Sequence, residues 1–430
     1  MASQAQPLNI IILGGGIAGL TTALSLTKYT PANTPPPNIT IYEIRPLPAT
    51  IGGAVNLTPN ALRLLNHLGA LQEIRANHYG KECLAVEVFD LYSGSKLAES
   101  SFRGDEGKGL GDPPFTALRI TRGEALKGVL AVIEKQPNIN LVFGKRTVDI
   151  KEFSKGVEIS FEDGDIAKGD ILIGCDGIHS VTRLKHVEPD RKAVYSGICN
   201  AFGFAPRRKC DDGRYEDVHF ETTAMNFGRR GILLTSFHNE DKDFVYVGAL
   251  MQIPEIVSRD GWKAAGADAE NVRKDMLERY AGAKLDLIPH LIQDAQDLFL
   301  WPVFTLSKYG KWCTDRVMLI GDSAHAMPPQ GESTGMVFED AVLFSRCLAR
   351  WLEKGNGTPV REAFNAYENL RRERIETAWD ESQSVVKTVQ ETGWFGHKIK
   401  MNIIPWYLWW TRAYREKHFI DDVTACGLGY

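Results

Sequence analysis

The first strongly apolar stretch is Leu8-Asn9-Ile10-Ile11-Ile12-Leu13, continuous rather than alternating, and it predicts a strand buried on both faces. Residues 17–29 then space their apolar side chains as a helix does. After a Pro-rich loop, TPANTPPPN, the run ITIYE at 39–43 predicts a second strand. Strand, tight glycine turn, helix and strand together make a parallel crossover unit. Residues 58–70 (TPNALRLLNHLGA) predict a Thr-capped helix with Pro in its first turn. Residues 84–100 alternate around a Ser-Gly turn, and RGDEGKGLGDPP at 103–114 predicts a polar excursion. Residues 139–175 predict several strands, ending in the apolar run ILIGC.

The crossover pattern then stops. Residues 194–255 are strand-like and carry Phe202, Phe204, Phe220, Phe227, Phe237, Phe244 and Tyr246, which predicts a second, mostly antiparallel sheet. Helical spacing returns over 260–296, the strand RVMLI at 316–320 rejoins the first sheet, and helices follow to the end. A sheet domain is therefore inserted into a discontinuous α/β domain.

Composition narrows the class. The chain has 430 residues, 43% hydrophobic and 24% charged, enough for two or three soluble domains. A net charge of −4 gives no basic footprint for a nucleic acid. Seven scattered cysteines without CxxC spacing predict reduced thiols rather than a disulfide framework or zinc site. The amino terminus has no basic n-region, and no stretch reaches the roughly 18 apolar residues of a spanning helix. The expected location is cytoplasmic.

Three loops carry the chemistry. Gly14-x-Gly16-x-x-Gly19 lies directly between strand and helix. Gly14 permits the tight turn, Gly16 admits a pyrophosphate, and Gly19 lets the helix pack on the strand, so the amides around Ile17 and Ala18 face the phosphates. Glu43 ends the second strand, 24 residues past Gly19, where a carboxylate accepts from an adenosine ribose, with Arg45 beside it. The segment GCDGIHSVTR at 174–183 again follows a buried strand and puts Asp176 on the ligand side of the sheet; as a plain reading, it is a turn followed by a helical Ser-x-x-Arg. The third loop, GDSAHAMPPQGESTG at 321–335, begins with Gly321-Asp322 after the strand RVMLI. Such a density of glycine and proline implies a ligand on the backbone. His325 in this loop reads as a packed anchor rather than a base.

Together these motifs resemble the group A flavin-dependent aromatic monooxygenases, the para-hydroxybenzoate and salicylate hydroxylase-like flavoproteins. The resemblance spans most of residues 8–350 and includes IGGAVNLTPNALRLLNHLG at 51–69, the Arg of TRGEAL, and Glu-Asp-Ala at 339–341. It implies a Rossmann-like FAD-binding domain in three parts, 1–80, 104–185 and 301–350, with strands in 81–103 joining a substrate sheet at 186–300, and C-terminal helices over 351–430. It implies FAD held non-covalently, with Asp322 on the ribityl chain and Asp176 serving both flavin and nicotinamide. The flavin-contacting arginine would be Arg122, with Arg119 as the alternative, because the family's R-x-x-L has Ala125 in its fourth position here. Pro328, Gly331, Ser333, Thr334 and Gly335 would wall the flavin ring. Relatives usually carry Gly-Gln-Gly at Gly331-Glu332-Ser333, and the Glu332 charge is expected to face solvent or a cation.

The activity so implied consumes NADPH or NADH and O₂ and hydroxylates a phenolic or other electron-rich aromatic or polycyclic small molecule through a flavin C4a-hydroperoxide. Rival readings are an epoxidase or oxidative-rearrangement enzyme of secondary metabolism on the same fold, a nicotinamide-only dehydrogenase, and a non-catalytic flavin-binding redox sensor. No metal-ligand spacing occurs. No catalytic base is assigned; His219 and His238 are the inserted sheet's histidines, and each fits a structural role. The expected assembly is a monomer or homodimer. Residues 394–418 hold five Lys/Arg and one acid among aromatics. Packing on the protein's own domains is the expectation there, ahead of a subunit interface and then a membrane surface, with Pro405 breaking any long helix.

Overall fold

In the computed structural model the described residues are 6–49, 52–104, 106–331, 333–355 and 357–428. Five parallel strands form the first sheet, in the order Val317–Leu319, Ile171–Gly174, Asn9–Leu13, Asn38–Tyr42 and Ile139–Val142. The central strand is covered on both sides, as its unbroken apolar run requires. A methyl on Gly19 of the helix Ile17–Lys28 would touch Ile12, whereas one on Gly169 of the three-stranded sheet Thr147–Phe153, Gly156–Phe161, Ile166–Gly169 would touch Ile11. Adjacent residues of a strand point to opposite faces, so helix and small sheet sandwich the strand between them.

The second sheet has seven strands, in the order Gln296–Thr305, Val194–Pro206, Phe244–Gln252, Gly231–Phe237, Thr223–Gly228, Ala85–Asp90 and Lys96–Ser101. All neighbours pair antiparallel except Thr223–Gly228 with Ala85–Asp90. One face, with Cys199, Ala201, Val245 and Val247, packs on the helices Arg259–Ala267, Ala269–Arg279 and Leu287–Asp294. The opposite face presents Phe202, Phe204 and Tyr246 to Ala54 of the nucleotide domain. The fold is therefore the α/β arrangement expected, a Rossmann-like domain plus a mostly antiparallel sheet domain.

The C-terminal part is helical: Ser333–Lys354, Arg361–Val389, Trp394–Trp410 and Arg412–Ile420. One expectation fails here. Pro405 lies inside the helix Trp394–Trp410 rather than ending it. Proline removes only its own N–H, so the Met401 carbonyl loses one intrahelical donor while contacts with the sheet keep the remaining turns in place. The second failure is exposure: most of the aromatic segment faces outward instead of packing on the protein.

Candidate active site

The three loops meet because their strands are neighbours. Leu13 registers with Gly174, Gly174 with Leu319, and Leu13 also with Tyr42. The glycine turn, Glu43, Asp176 and Gly321-Asp322 thus all leave the same edge of one parallel sheet, at the strands' carboxyl ends.

The glycine turn is open at one position and packed at the others. Gly14 has φ +109°, and a side chain there would lie 2.3 Å from the Cys175 carbonyl oxygen. A methyl on Gly19 would sit 1.9 Å from the Gly14 carbonyl oxygen. Beside Gly16, the residue preceding the helix, a Cβ would meet nothing within 4 Å. Among the described residues no side chain caps this helix and its first turn carries no acid, so its first N–H groups are left for a ligand to satisfy. Glu43 is buried; its Oε2 accepts from the Gly15 amide at 2.7 Å and its Oε1 from the Arg45 amide at 2.9 Å. Arg45 itself reaches the Ala49 carbonyl.

Asp322 stands at the start of the short helix Asp322–His325 and is exposed between buried neighbours. Its carboxylate has no hydrogen-bond or ion-pair partner among the described residues. Gly321, at φ +69°, has Ala18 of the helix Ile17–Lys28 3.6 Å from where its Cβ would be, so Asp322 adjoins the glycine turn. Arg122 begins the helix Arg122–Ile133 next to Gly52, and its guanidinium likewise has no hydrogen-bond or ion-pair partner among the described residues. An open turn with free amides, an unpartnered carboxylate and an unpartnered guanidinium fit the phosphates, hydroxyls and polar ring of FAD.

Asp176 does something else. Its Oδ1 accepts from Ser180 Oγ at 2.5 Å, and its Oδ2 accepts from the Thr182 amide and hydroxyl at 2.9 and 3.0 Å. Burial pushes this carboxyl up, and those donors pull it back. Asp176 therefore ties the Asp-Gly loop together. Arg183 extends that role: it is fully buried and donates to the carbonyls of Ile178 at 2.6 Å, Arg191 at 3.0 Å and Ser323 at 2.9 Å. Arg191 donates to the Ala324 carbonyl at 2.9 Å, and Ser323 Oγ donates to the Gly174 carbonyl at 2.6 Å. The second and third loops are one riveted unit. In the sequence Arg183 stands only as the end of a helical Ser-x-x-Arg, and its spacing from Asp176 is the one signal of this role.

A second network fixes the loop's far end. His325 pairs with Asp340 at 2.8 Å, Asp340 with Arg371 at 2.6 Å, and Arg371 with Glu339 at 2.7 Å. Glu339 in turn accepts from Asn60 at 2.7 Å. Burial alone would raise the Asp340 carboxyl, but His325 and Arg371 outweigh it and hold it at about 2. His325 is an anchor. Nothing in the sequence marked Arg371, one of several arginines in RRERIE.

Around these anchors Pro328 is buried, Gly331 takes φ +91°, and Ser333-Thr334-Gly335 form the first turn of Ser333–Lys354, half-buried at Ser333 and Thr334. A Cβ on Gly335 would lie 3.1 Å from Thr58 Oγ1, which brings this helix close against Pro59–His67. The expectation for Glu332 lies outside the described residues.

On the sheet side, Arg119 is buried and separate from Arg122. It donates from Nε to Ser236 Oγ at 2.9 Å and stands over the Tyr246 ring at 5.1 Å, while Nη2 is buried without an acceptor among the described residues. Asn56 of the strand Ala54–Leu57 pairs with Arg119 of the antiparallel strand Ala117–Thr121, and its Oδ1 also has no partner among the described residues. His238 shares this face, edge-on to Phe204, and burial lowers its pKa. His219 belongs to the other face: it bonds Asn226 at 2.9 Å and touches Phe89 and Phe220 in the helix-side core.

No protein-family model matches the chain. Among curated proteins, a salicylate hydroxylase of Pseudomonas putida is 28% identical over 398 residues, covering 88% of this chain and 86% of that one. The 6-methylsalicylate 1-monooxygenase of Aspergillus terreus is 26% identical over 384 residues, covering 86% of this chain and 80% of that one. Among solved structures, Klebsiella pneumoniae HpxO complexed with FAD and uric acid superposes with a TM-score of 0.74 at 20% identity, covering 98% of both chains. A salicylate hydroxylase substrate complex gives 0.73 at 21% identity, with 96% and 97% covered. In sequence over most of its length, and in fold, the chain is similar to FAD-dependent aromatic monooxygenases.

Proposed function

We propose that this enzyme hydroxylates an aromatic ring that carries a carboxylate, using NADPH or NADH and O₂. The observation that carries this reading is Arg119. Among the described residues it is a buried guanidinium with no carboxylate partner and an unused Nη2, in a wall lined by Tyr246, Phe202 and Phe204. Burial lowers its pKa. An unpaired buried charge costs several kcal/mol, and a substrate anion would supply the missing partner. At ~4 Å and an effective dielectric of ~20 that pairing is worth about 4 kcal/mol. The relatives' names, salicylate and 6-methylsalicylate, denote ring acids of this kind.

FAD, when bound, supplies the hydride acceptor and the activation of O₂. The chain's residues do the rest. The amides after Gly16 would hold the pyrophosphate, Glu43 the ribose, and Asp322 the ribityl hydroxyls. Arg122 and the first-turn amides of Ser333–Lys354 would face the ring, where a helix amino terminus favours negative charge. The aromatic wall keeps water from the reacting carbon, and Arg119 sets which ring position faces the cofactor.

The test compares an acid with its neutral isostere in the FAD-loaded protein, salicylate against salicylamide. Salicylate should accelerate NAD(P)H oxidation and salicylamide far less, with the difference lost in Arg119→Met while FAD stays bound. Equal stimulation by both, or none by salicylate, overturns the anionic-substrate reading. Bound FAD with no aromatic-stimulated NAD(P)H oxidation would instead favour a flavin sensor.

A further inference from the structure

The helix Trp394–Trp410 is apolar along two opposite lines. His397, Met401, Ile404 and Leu408 lie on one line, with Met401, Ile404 and Leu408 packed on the sheet around Val88, Phe227 and Ile232 and His397 bonded to Asp90 at 2.9 Å. Phe395, Ile399, Ile403, Trp406 and Trp410 fall half a turn away at 3.6 residues per turn, and they are 70%, 46%, 53%, 58% and 64% exposed. Trp406 and Trp410 stack on each other in this line, their rings 5.7 Å apart and 4° from parallel. Lys398 flanks the line, its ammonium 5.3 Å from the Trp394 ring centre. An outward row of five large apolar side chains on one helix is not ordinary surface.

We propose that this row lies in the boundary between headgroups and acyl chains of an anionic lipid bilayer, and holds the enzyme at a membrane surface. The helix cannot span: no helix among the described residues is long and apolar enough to cross a membrane. It has the composition of one that lies in the plane, with indoles and aliphatics outward and a lysine at the flank. Charge selects the occupant. Residues 394–418 carry five Lys/Arg against one Glu in a chain whose net charge is −4. Lys398 and Lys417 have no carboxylate partner among the described residues. Anionic headgroups complement that excess. A second copy of the chain would oppose it, because a two-fold contact sets the same basic segment against itself.

The test is flotation of the FAD-loaded protein with vesicles of phosphatidylcholine alone and with added phosphatidylserine. The protein should float with the anionic vesicles about tenfold more than with the neutral ones, given two or more unpaired cations near the surface. A Phe395→Ser, Trp406→Ser, Trp410→Ser variant should stay at the bottom, and Lys398→Glu with Lys417→Glu should lose the preference for phosphatidylserine. Both variants should keep the flavin spectrum and the thermal midpoint. Protein that remains at the bottom with both vesicle types overturns the proposal. So does a light-scattering dimer that the triple substitution converts to monomer, which would assign the row to a second copy.

Discussion

Arg183 donates to the Ser323 carbonyl at 2.9 Å across 140 residues of sequence, and so joins the loop that begins at Asp176 to the loop that begins at Gly321. The arginine is fully buried, and all the acceptors it uses are carbonyls. Arg183→Met keeps the volume and removes every one of these donors. It should destabilise the protein by at least about 3 kcal/mol, since each charged hydrogen bond is worth roughly 1.5–3 kcal/mol and three carbonyls lose their donor. Urea unfolding of apo-protein measures this; an unchanged midpoint would show that the two loops hold their places independently.

Gly16→Val and Gly19→Val should fail in different ways. The space beside Gly16 is open, so Val there should leave the apo-fold intact while obstructing the cofactor. Val at Gly19 would drive a methyl into the Gly14 carbonyl and should lower the thermal midpoint without any ligand. Circular dichroism melts and FAD titrations on both variants separate the effects. Equal FAD affinity in Gly16→Val and wild type would move the pyrophosphate elsewhere.

Asp322→Ala should leave apo-protein stability unchanged, because the carboxylate bonds nothing among the described residues, yet weaken FAD by about tenfold to a hundredfold through one or two lost charge-assisted bonds. Asp176→Ala should do the reverse first, loosening the 176–183 turn that its carboxylate ties. If the apo-protein melts lower in Asp322→Ala but not in Asp176→Ala, these roles are exchanged.

Asp340 gives a signed dependence on pH. Its folded pKa, about 2, lies below the ~3.9 of an unfolded aspartate. The stability it contributes is therefore fully present above pH ~4 and is lost as pH falls through ~2. Asp340→Asn should be less stable at neutral pH, where it leaves Arg371 short of a partner, and should show a shallower decline between pH 4 and 2. Parallel declines in both proteins would mean that other carboxylates govern acid unfolding.

With an accepted substrate, ¹⁸O₂ should label the product and H₂¹⁸O should not, one atom per turnover. Label from water would exclude oxygen transfer from O₂ and the hydroxylase reading with it. Mass spectrometry of the product decides.

The sequence by itself determined the strands, the three loops and their order, because an unbroken apolar run and a glycine turn are local facts. Gly14, Gly16, Gly19, Glu43 and Gly321-Asp322 were legible for that reason, and so was the family they resemble. It could not assign Asp176 to its own turn rather than to a ligand, since Ser180 and Thr182 point back at it only once the chain has bent. Nor could it find the Ser323 partner of Arg183 or the Asp340 partner of Arg371, which lie 140 and 31 residues away in the chain. Tertiary structure also decided that Arg119 is buried with an unused Nη2, and which line of the Trp394–Trp410 helix met the sheet. Apolar residues lie on both lines of that helix, so its periodicity is equally satisfied by either. Only the position of the sheet leaves Trp406 and Trp410 facing outward.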